Sequence, residues 1–415
     1  MSVVEPLPRE TAASERWLSI VGIGEDGIDG LTPAAIRIVR EAEIVFGGKR
    51  HLALAAPLIK GAASPWPSPF ERAVQAVLAQ RGRRVCVLAS GDPFFHGVGT
   101  VLAKHVDAQE MLVLPAPSAF SLAAARLGWD LATTALLSLH GRALDLVRPH
   151  LHPGARILAL TSDHEGPAAL ARLLTQTGFG ASRLGVLEAI GGPRERLRSA
   201  VAADFDLGAI DDLNVVAIEV VAAPAARIIP YASGRGDDLF EHDGQITKRE
   251  IRAVSLSALA PRRGELLWDI GAGAGSVAIE WMLSHSSLRA IAIERRADRA
   301  ARIRRNAAAL GVPGLEILEG SAPAALKELR LPGAIFIGGG ASDAGVIEAA
   351  VAALPCGGRL VANAVTLATE SLLIATHAAL GGELIRIAIA RAGALGGTAG
   401  WRPAMPVTQW AWVKP

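Results

Sequence analysis

The chain has 415 residues, of which 51% are apolar and 20% are charged, and its formal net charge is +2. This length exceeds the size at which a single hydrophobic core keeps growing, so we expect two domains, or one domain with a large appendage. The composition argues against extended disorder, and the small net charge argues against a broad field for nucleic acid or membrane, leaving room only for a local basic patch.

Short β-branched runs alternate with Ala-, Leu- and Arg-rich helical segments from Trp17 to Val221. This alternation predicts α/β layers with largely buried, mostly parallel strands. A helix is predicted to begin at Thr32-Pro33, because a capping residue there precedes a first-turn proline. The predicted strands are 17–22, 44–46, 84–89, 111–114, 156–161, 184–188 and 214–221.

Ala, Pro, Gly and Asp then accumulate between residues 222 and 242 without sustained periodicity, which indicates an interdomain linker. We therefore place a first domain at 15–225, a linker at 226–243 and a second domain at 244–415. The alternation restarts in the second domain and predicts seven strands there. These are 265–270, 290–294, 315–318, 334–337, 359–363, 384–390 and 407–413.

The last two of these strands are separated only by the glycine-rich region 393–400, where no helix fits. They are therefore predicted to pair antiparallel as a hairpin. A parallel sheet that ends in one antiparallel strand resembles the Rossmann-like sheet of class I methyltransferases. It differs from the strand order of dinucleotide-binding dehydrogenases.

A glycine loop, Asp269-Ile-Gly-Ala-Gly-Ala-Gly-Ser276, joins a buried strand to a helix. Glycines allow close approach of the backbone to a ligand, and Ser276 stands where a dinucleotide fingerprint has its third glycine. Glu294 ends the next strand, where a carboxylate can accept hydrogen bonds from ribose hydroxyls. Because the loop departs from the dinucleotide pattern, it resembles the methyltransferase version instead. The residues that this resemblance nominates for binding S-adenosyl-L-methionine are Gly271, Ala272, Gly273, Ala274, Gly275 and Glu294.

Two further segments follow strands of the second domain. Ser321-Ala322-Pro323 occupies the position where such folds wrap adenine, so Ala322 is a candidate cofactor contact, although Ser321 also suits a helix cap. Three glycines, 338–340, stand where methyltransferases of exocyclic amines carry an Asn/Asp-Pro-Pro-aromatic motif. They favour room for a bulky substrate, with flexible packing against a helix as the alternative.

The first domain carries three segments with chemistry: Val21–Gly27, with G-x-G-x-x-G, Ser90-Gly-Asp-Pro-Phe-Phe-His-Gly97, and Pro115-Ala-Pro-Ser-Ala119. The glycine loop is not a dinucleotide site, because its helix begins several residues too late. The other two follow apolar strands, so they belong at the carboxyl edge of a sheet.

All three segments together resemble those of the tetrapyrrole methylase (class III) family. That resemblance implies a glycine loop facing a macrocycle, and cofactor contacts by Asp92, Phe95, Ser118 and Ala119; a plain turn is the alternative for Asp92-Pro93.

The pairing of a class III with a class I module resembles the precorrin-6Y C5,15-methyltransferase (decarboxylating) family of cobalamin biosynthesis. Residues 46–52 and 245–252 match that family too, which nominates Thr247 for cofactor contact. Thr247 also suits a helix N-cap, with Glu250 completing a capping box, and the two roles are compatible. The resemblance implies C5 methylation by the first module. It implies C15 methylation and loss of CO₂ from the C12 acetate by the second, giving precorrin-8X and S-adenosyl-L-homocysteine. It also implies self-association.

A sulfonium donor is already activated, so positioning and exclusion of water are expected to dominate catalysis. Asn363, which ends the fifth strand of the second domain, is a candidate catalytic residue that hydrogen-bonds the macrocycle or else caps a helix. Lys49, Arg50 and His51 are candidates for binding substrate carboxylates. The basic run 295–305 is more typical of a solvated helix face.

Three other functions stay open at this point: a nicotinamide-dependent oxidoreductase, an RNA methyltransferase and a non-catalytic scaffold.

Cys86 and Cys356 cannot form a disulfide framework, and there is no C-x-x-C metal spacing. The N-terminus lacks the pattern of a signal peptide, and no apolar run reaches roughly 18 residues. We therefore expect a cytoplasmic protein with no metal and with neither nucleic acid nor membrane as partner.

Overall fold

The computed structural model describes residues 16–395 and 397–415. They form two compact units: the first comprises the described residues up to Arg142 together with Pro153–Ala226, and the second comprises Ala143–His152 together with Arg227–Pro415. Part of the stretch expected to be a linker packs inside the second unit, since Ile229, Arg235 and Phe240 are buried. No helix in the described part of the chain is long and apolar enough to cross a membrane.

The first unit contains two sheets and six helices among its described residues. Its strands are β1 (Leu18–Ile23), β2 (Ile44–Gly47), β3 (Ala62–Pro65), β4 (Val85–Ser90), β5 (Met111–Leu114), β6 (Ala135–Ser138), β7 (Arg156–Leu160), β8 (Arg183–Glu188), β9 (Arg196–Val201) and β10 (Asn214–Glu219). Its helices are α1 (Pro33–Glu41), α2 (Lys49–Ala55), α3 (Arg72–Leu78), α4 (Gly99–Leu102), α5 (Ala119–Leu127) and α6 (Gly166–Gln176).

The first sheet has the order β3-β2-β4-β1-β5 and is parallel throughout. Its central strands are apolar on both faces: Leu18 and Ile20 pack into one core cluster, and Val21 and Ile23 pack into another. This two-sided burial is what a continuous apolar run predicts for a parallel strand. Helix α1 begins as predicted, with the Thr32 side chain accepting a hydrogen bond from the Ala35 amide at 3.2 Å.

The second sheet has the order β6-β7-β10-β8-β9 and is mainly antiparallel, since only β6 and β7 run parallel. The prediction of mostly parallel strands is therefore wrong for this half of the unit. Strands β3, β6 and β9 were also missed. They lie at sheet edges and are partly or largely exposed, so they lack the apolar signal that marks a buried strand.

The second unit contains a seven-stranded sheet and a two-stranded hairpin. Its strands are β11 (Leu266–Ile270), β12 (Arg289–Glu294), β13 (Glu316–Glu319), β14 (Ala334–Ile337), β15 (Arg359–Ala364), β16 (Glu383–Ile387), β17 (Ala390–Leu395), β18 (Thr398–Pro403) and β19 (Val407–Val413). Its helices are α7 (Arg249–Leu259), α8 (Ser276–Ser284), α9 (Ala297–Ala309), α10 (Val346–Ala353) and α11 (Leu367–Leu380). Short 3₁₀ turns complete the two units at Gly27–Gly30, Ala108–Glu110, Leu144–His150, Ala202–Asp204, Asp237–Leu239 and Ala324–Leu326.

The large sheet has the order β13-β12-β11-β14-β15-β19-β16, and β19 is antiparallel to both of its neighbours. The predicted antiparallel pairing of the last two strands is thus confirmed for β16 and β19. The region 393–400, expected to be only a turn, instead belongs to a second hairpin, β17 with β18. Gly393 pairs with Gly400 there, and this pair carries no side chain from which a strand could be predicted.

A buried ionic network fixes the start of the second unit. The carboxylate of Glu280 on α8 accepts hydrogen bonds from the amides of Gly234 at 2.7 Å and Arg235 at 2.9 Å. It also accepts one from Nε of Arg252 on α7 at 2.7 Å, and the side chains of Glu280 and Arg252 are fully buried. Charges removed from water in this way are tolerated only when they are paired and hydrogen-bonded.

Candidate active sites

The carboxyl end of β1 determines the shape of a first cavity. An added Cβ on Gly22 would lie 2.0 Å from the Gly91 carbonyl oxygen and 2.5 Å from the Ala116 nitrogen. These two backbone groups hydrogen-bond to each other at 3.1 Å. The bare backbone at Gly22 therefore lets the segments after β4 and β5 meet across the end of β1.

This first cavity has a volume of about 490 Å³ and is lined by loops from both sheets of the first unit. Phe95, Ser118 and Ala119 line it as residues predicted to bind the cofactor, whereas Asp92 does not. The Asp92 carboxylate accepts a hydrogen bond from the Phe94 amide at 2.8 Å, which is the turn geometry of the alternative description.

Ser118 caps helix α5. Its hydroxyl oxygen accepts a hydrogen bond from the Ser121 amide at 3.1 Å, and the first helical residue, Ala119, lies on the cavity wall. The amino end of a helix presents free N–H groups and a partial positive charge, so this wall suits a polar or negatively charged ligand group. Phe95 packs edge to face on Phe120, with ring centroids 5.3 Å apart, and adds an apolar surface.

A charged cluster lies on the same wall. Glu25, from the early glycine loop, forms ion pairs with Arg50 and Arg194. Arg50 also donates to the Ser90 hydroxyl at 3.0 Å, and His51 Nε2 lies 2.8 Å from that hydroxyl. Burial, assisted by the Arg50 charge, lowers the pKa of His51 to about 4, so His51 is neutral at physiological pH.

The three candidates for carboxylate binding thus differ in the structure. Arg50 lines the first cavity, but Glu25 already offsets its charge; His51 is neutral, and Lys49 is exposed at the start of α2. The arginines of the basic run 295–305 mostly face acidic side chains of the second unit. These pairs are Arg296–Asp298, Arg299–Asp243, Arg302–Asp243, Arg304–Glu319 and Arg305–Glu241.

A second cavity, of about 290 Å³, lies at the carboxyl ends of the parallel strands of the large sheet. Gly271, Glu294 and Ala322 line it, and Gly339 and Gly340 form its far side. Gly271 has φ +70°, and a Cβ there would lie 2.5 Å from the Gly339 carbonyl oxygen. Only glycine therefore allows the turns after β11 and β14 to pack this closely.

The other loop residues predicted to bind cofactor shape this cavity without lining it: Ala272, Gly273, Ala274 and Gly275. Glu294 holds the loop in place, because its carboxylate accepts hydrogen bonds from the Gly273 amide at 2.9 Å and the Arg296 amide at 3.0 Å. Each carboxylate oxygen keeps a further lone pair for a ligand hydroxyl. The glycine cradle and this carboxylate fit a nucleoside with a ribose.

Thr247 lies outside the residues that line the second cavity, and the predicted capping box is wrong. Helix α7 begins at Arg249 with Lys248 as its N-cap, and no side chain caps it. The Thr247 carbonyl accepts a hydrogen bond from the buried Arg252 at 2.5 Å. Ser321 likewise provides no side-chain cap, since Pro323 precedes the 3₁₀ turn at Ala324–Leu326.

Asn363 lies on β15, one residue beyond the pair formed by Ala362 and Ile337 of β14. Its side-chain amide donates to the Ser255 hydroxyl at 2.9 Å and accepts from Gln409 Nε2 at 2.9 Å. It does not cap α11, whose N-cap is Thr366, so that alternative is wrong.

Sequence reasoning missed two features of these sites. His96 and His140 line the first cavity, and nothing in residue spacing alone placed them there. Asp269, at the end of β11, is 1% exposed, and only one of its carboxylate oxygens has a partner, the Ala278 amide at 3.0 Å. Burial raises the pKa of Asp269 to about 7, and the nearby charge of Glu294 acts in the same direction.

Comparison with known proteins assigns both units. The family described as tetrapyrrole (corrin/porphyrin) methylases matches residues 18–206, and the family described as precorrin methyltransferase domain matches residues 238–414. A cobalt-precorrin-7 C(5)-methyltransferase of Salmonella typhimurium is 32% identical over 46% of this chain and 96% of its own length. A probable cobalt-precorrin-6B C(15)-methyltransferase (decarboxylating) of Pyrobaculum calidifontis is 38% identical over 39% of this chain and 87% of its own length.

Both modules are also matched together, over almost the whole chain. A precorrin-6Y C(5,15)-methyltransferase [decarboxylating] of a Sinorhizobium species is 62% identical over 405 residues, which is 98% of each chain. Identity of this extent, together with a family match to each module in the same order, means that the chain belongs to the precorrin-6Y C5,15-methyltransferase (decarboxylating) family.

Proposed function

We propose that this protein methylates precorrin-6Y at C5 and C15 and removes the carboxyl group of the C12 acetate, giving precorrin-8X. The observation that carries the proposal is the presence of two separate cavities, one in each unit, each formed at the carboxyl ends of parallel strands. In open α/β sheets this edge is where ligands bind. Two methylations at distant ring positions are served by two such sites.

The division of labour follows the two modules. The first unit performs the C5 methylation, and the second performs the C15 methylation and the decarboxylation. Two shorter relatives support this division, because one is named as a C(5)-methyltransferase and the other as a C(15)-methyltransferase (decarboxylating), and each matches less than half of this chain.

The methyl donor of both sites is S-adenosyl-L-methionine, which supplies an electrophilic methyl group on a sulfonium and leaves as S-adenosyl-L-homocysteine. In the second unit, Glu294 accepts the ribose hydroxyls, the Gly271–Gly275 loop lets the backbone approach, and Ala322 and Thr247 complete the contacts. In the first unit, Phe95, Ser118 and Ala119 form the corresponding wall, and Asp92 holds the turn beside them.

Asn363 is the proposed catalytic residue of the second unit, where its amide hydrogen-bonds the macrocycle. Ser255 and Gln409 fix the orientation of that amide. Because the donor is already activated, the side chains act mainly by orienting the ring carbon and excluding water. Decarboxylation needs no strong base either, since the conjugated ring accepts the electron pair released with CO₂.

The test is to incubate the full chain with S-adenosyl-L-methionine and precorrin-6Y and to weigh the product. We expect two added methyl groups and the loss of one CO₂, and no change when the methyl donor is omitted. A product of unchanged mass would refute the proposal. A calorimetric titration with NADH, which we expect to show no binding, separates this function from a nicotinamide-dependent one.

We also propose that the chain self-associates. Helix α11 buries only Leu373, and it exposes Leu367, Ile374 and Leu380. The β17–β18 hairpin adds Trp401, which is 76% exposed. An apolar surface of this kind is typical of a protein interface. Light scattering coupled to size exclusion should give a mass above that of one chain, and Trp401→Ser with Ile374→Ser should lower it.

A further inference from the structure

His96 lies on the wall of the first cavity, in the loop between β4 and α4. Its ring packs against Phe95, with centroids 4.9 Å apart, and lies 6.3 Å from Phe120. His96 has φ +60°, in the left-handed region that a residue with a Cβ rarely adopts. The loop therefore carries a side chain at a position where glycine would cost less conformational free energy.

The imidazole of His96 is available as a proton acceptor. Within the described part of the chain its ring nitrogens make no hydrogen bond or ion pair. Burial, assisted by the positive charge of Arg142, lowers the pKa of His96, so the ring is neutral at physiological pH. A neutral imidazole has one nitrogen with a free lone pair.

The carboxylates on the cavity wall are engaged by protein partners. Glu25 is held by two arginines, one of them Arg50, and Asp212 accepts hydrogen bonds from the backbone and the ring of His164. His140 Nδ1 lies 3.4 Å from the Thr161 carbonyl oxygen, which can only accept, so this contact places the proton on Nδ1 and leaves Nε2 basic. Of these two cavity histidines, His96 is the one whose ring packs against Phe95, on the wall assigned above to the methyl donor.

The reaction proposed for this cavity needs such an acceptor. Methylation of a ring carbon that bears hydrogen forms a C–C bond while the S–CH₃ bond breaks and leaves its electron pair on sulfur. The C–H bond must then break, with its pair returning to the conjugated ring and its proton leaving. Resting on the function proposed above, we propose that His96 is the catalytic base that accepts this proton from the carbon methylated in the first unit.

The test uses the full chain carrying His96→Asn. Asparagine tolerates the left-handed backbone but is not basic near neutral pH, so the loop is kept and the proton acceptor is lost. We expect methylation in the first unit to slow by about 10²- to 10⁴-fold. Added imidazole should restore part of the rate, and substrate deuterated at C5 should react more slowly than unlabelled substrate. His105→Asn, the matched control, makes the same substitution at an exposed histidine of the first unit that does not line the cavity, and it should keep the wild-type rate within a few-fold.

Two further measurements separate catalysis from structure. Calorimetry should give the same S-adenosyl-L-methionine affinity for His96→Asn as for the parent, and His96→Gly, which relieves the strained backbone, should not lower the melting temperature. A parental methylation rate in His96→Asn, or loss of cofactor binding with no rescue by imidazole, would overturn the assignment. If the parent itself adds no methyl at C5 to an authentic substrate, the proposed function fails, and the role of His96 with it.

Discussion

Two buried carboxylates of the second unit differ in how many hydrogen-bond donors the protein supplies in place of water. Glu294 is buried, but each of its oxygens accepts a backbone N–H, whereas Asp269 is equally buried and leaves one oxygen without a partner. Burial without a full set of partners raises the pKa of Asp269 to about 7. Sequence identified Glu294 from its spacing to the glycine loop, but the partner count of Asp269 depends on three-dimensional packing.

The raised pKa of Asp269 predicts how stability depends on pH. Between its ordinary value of 3.8 and about 7, the folded protein holds a proton that the unfolded chain has released, so stability falls as pH rises through this window. Asp269→Asn keeps an acceptor for the Ala278 amide and removes the titration. Its stability relative to the parent should increase by about 3 kcal/mol between pH 5 and pH 8, since about two pH units of this range lie below the folded pKa and each is worth about 1.4 kcal/mol.

Denaturant unfolding at several pH values measures this effect. The control is Asp204→Asn, which makes the same substitution at an exposed position of the first unit. It should leave the pH dependence as in the parent. A pH profile of Asp269→Asn that runs parallel to the parent's would contradict the assignment of the raised pKa to this carboxyl.

At the scale of elements, helix and strand boundaries follow local signals where those signals are strong. Thr32-Pro33 starts α1 as predicted, since both the cap and the proline act within one turn. Thr247 also carried a capping pattern, yet α7 begins one residue later than a Thr247 cap predicts, with Lys248 as its N-cap. The Thr247 carbonyl is bound there by the guanidinium of the buried Arg252, a tertiary contact that the local pattern does not encode.

The buried ion pairs of Glu280 on α8 with Arg235 and with Arg252 on α7 predict a large contribution to the free energy of unfolding. Glu280→Ala would leave the buried guanidinium of Arg252, and the 3%-exposed Arg235, without their shared anion. Removing one partner of a buried ion pair costs about 3–5 kcal/mol. We expect chemical denaturation to show a loss of this size.

The comparison variant is Glu316→Ala, which removes a surface ion pair with Arg330 whose two side chains are more than half exposed. Exposed pairs contribute about 0–1 kcal/mol, so this variant should unfold close to the parent. Equal losses for Glu280→Ala and Glu316→Ala would show that the buried network does not anchor the segment before α7.

At the scale of the whole molecule, two glycines allow the two sites to be separated by substitution. Gly22→Val places a side chain against the Gly91 carbonyl oxygen in the first unit, and Gly271→Val does the same against the Gly339 carbonyl oxygen in the second. Backbone cannot move aside as a flexible side chain can. Each variant should therefore lose the chemistry of its own unit and keep that of the other.

Product masses check this division. Gly22→Val should yield a product with one added methyl and the loss of CO₂, and Gly271→Val should yield neither C15 methylation nor CO₂ loss. The two variants serve as controls for each other, provided that circular dichroism shows each to be folded. Loss of both methylations in either variant would contradict the assignment of separate reactions to the two units.

The sequence by itself determined the two-module organisation, the glycine loop after β11 and the parallel strands of the first sheet and of the seven-stranded sheet, because each rests on local periodicity and on glycines at strand ends. The tertiary structure decided the antiparallel second sheet of the first unit, the β17–β18 hairpin and the start of α7. It also decided which titratable groups face the cavities, such as His96 and Asp269. Edge strands, register and the number of partners of a buried group depend on residues far apart in the chain, so no local pattern encodes them.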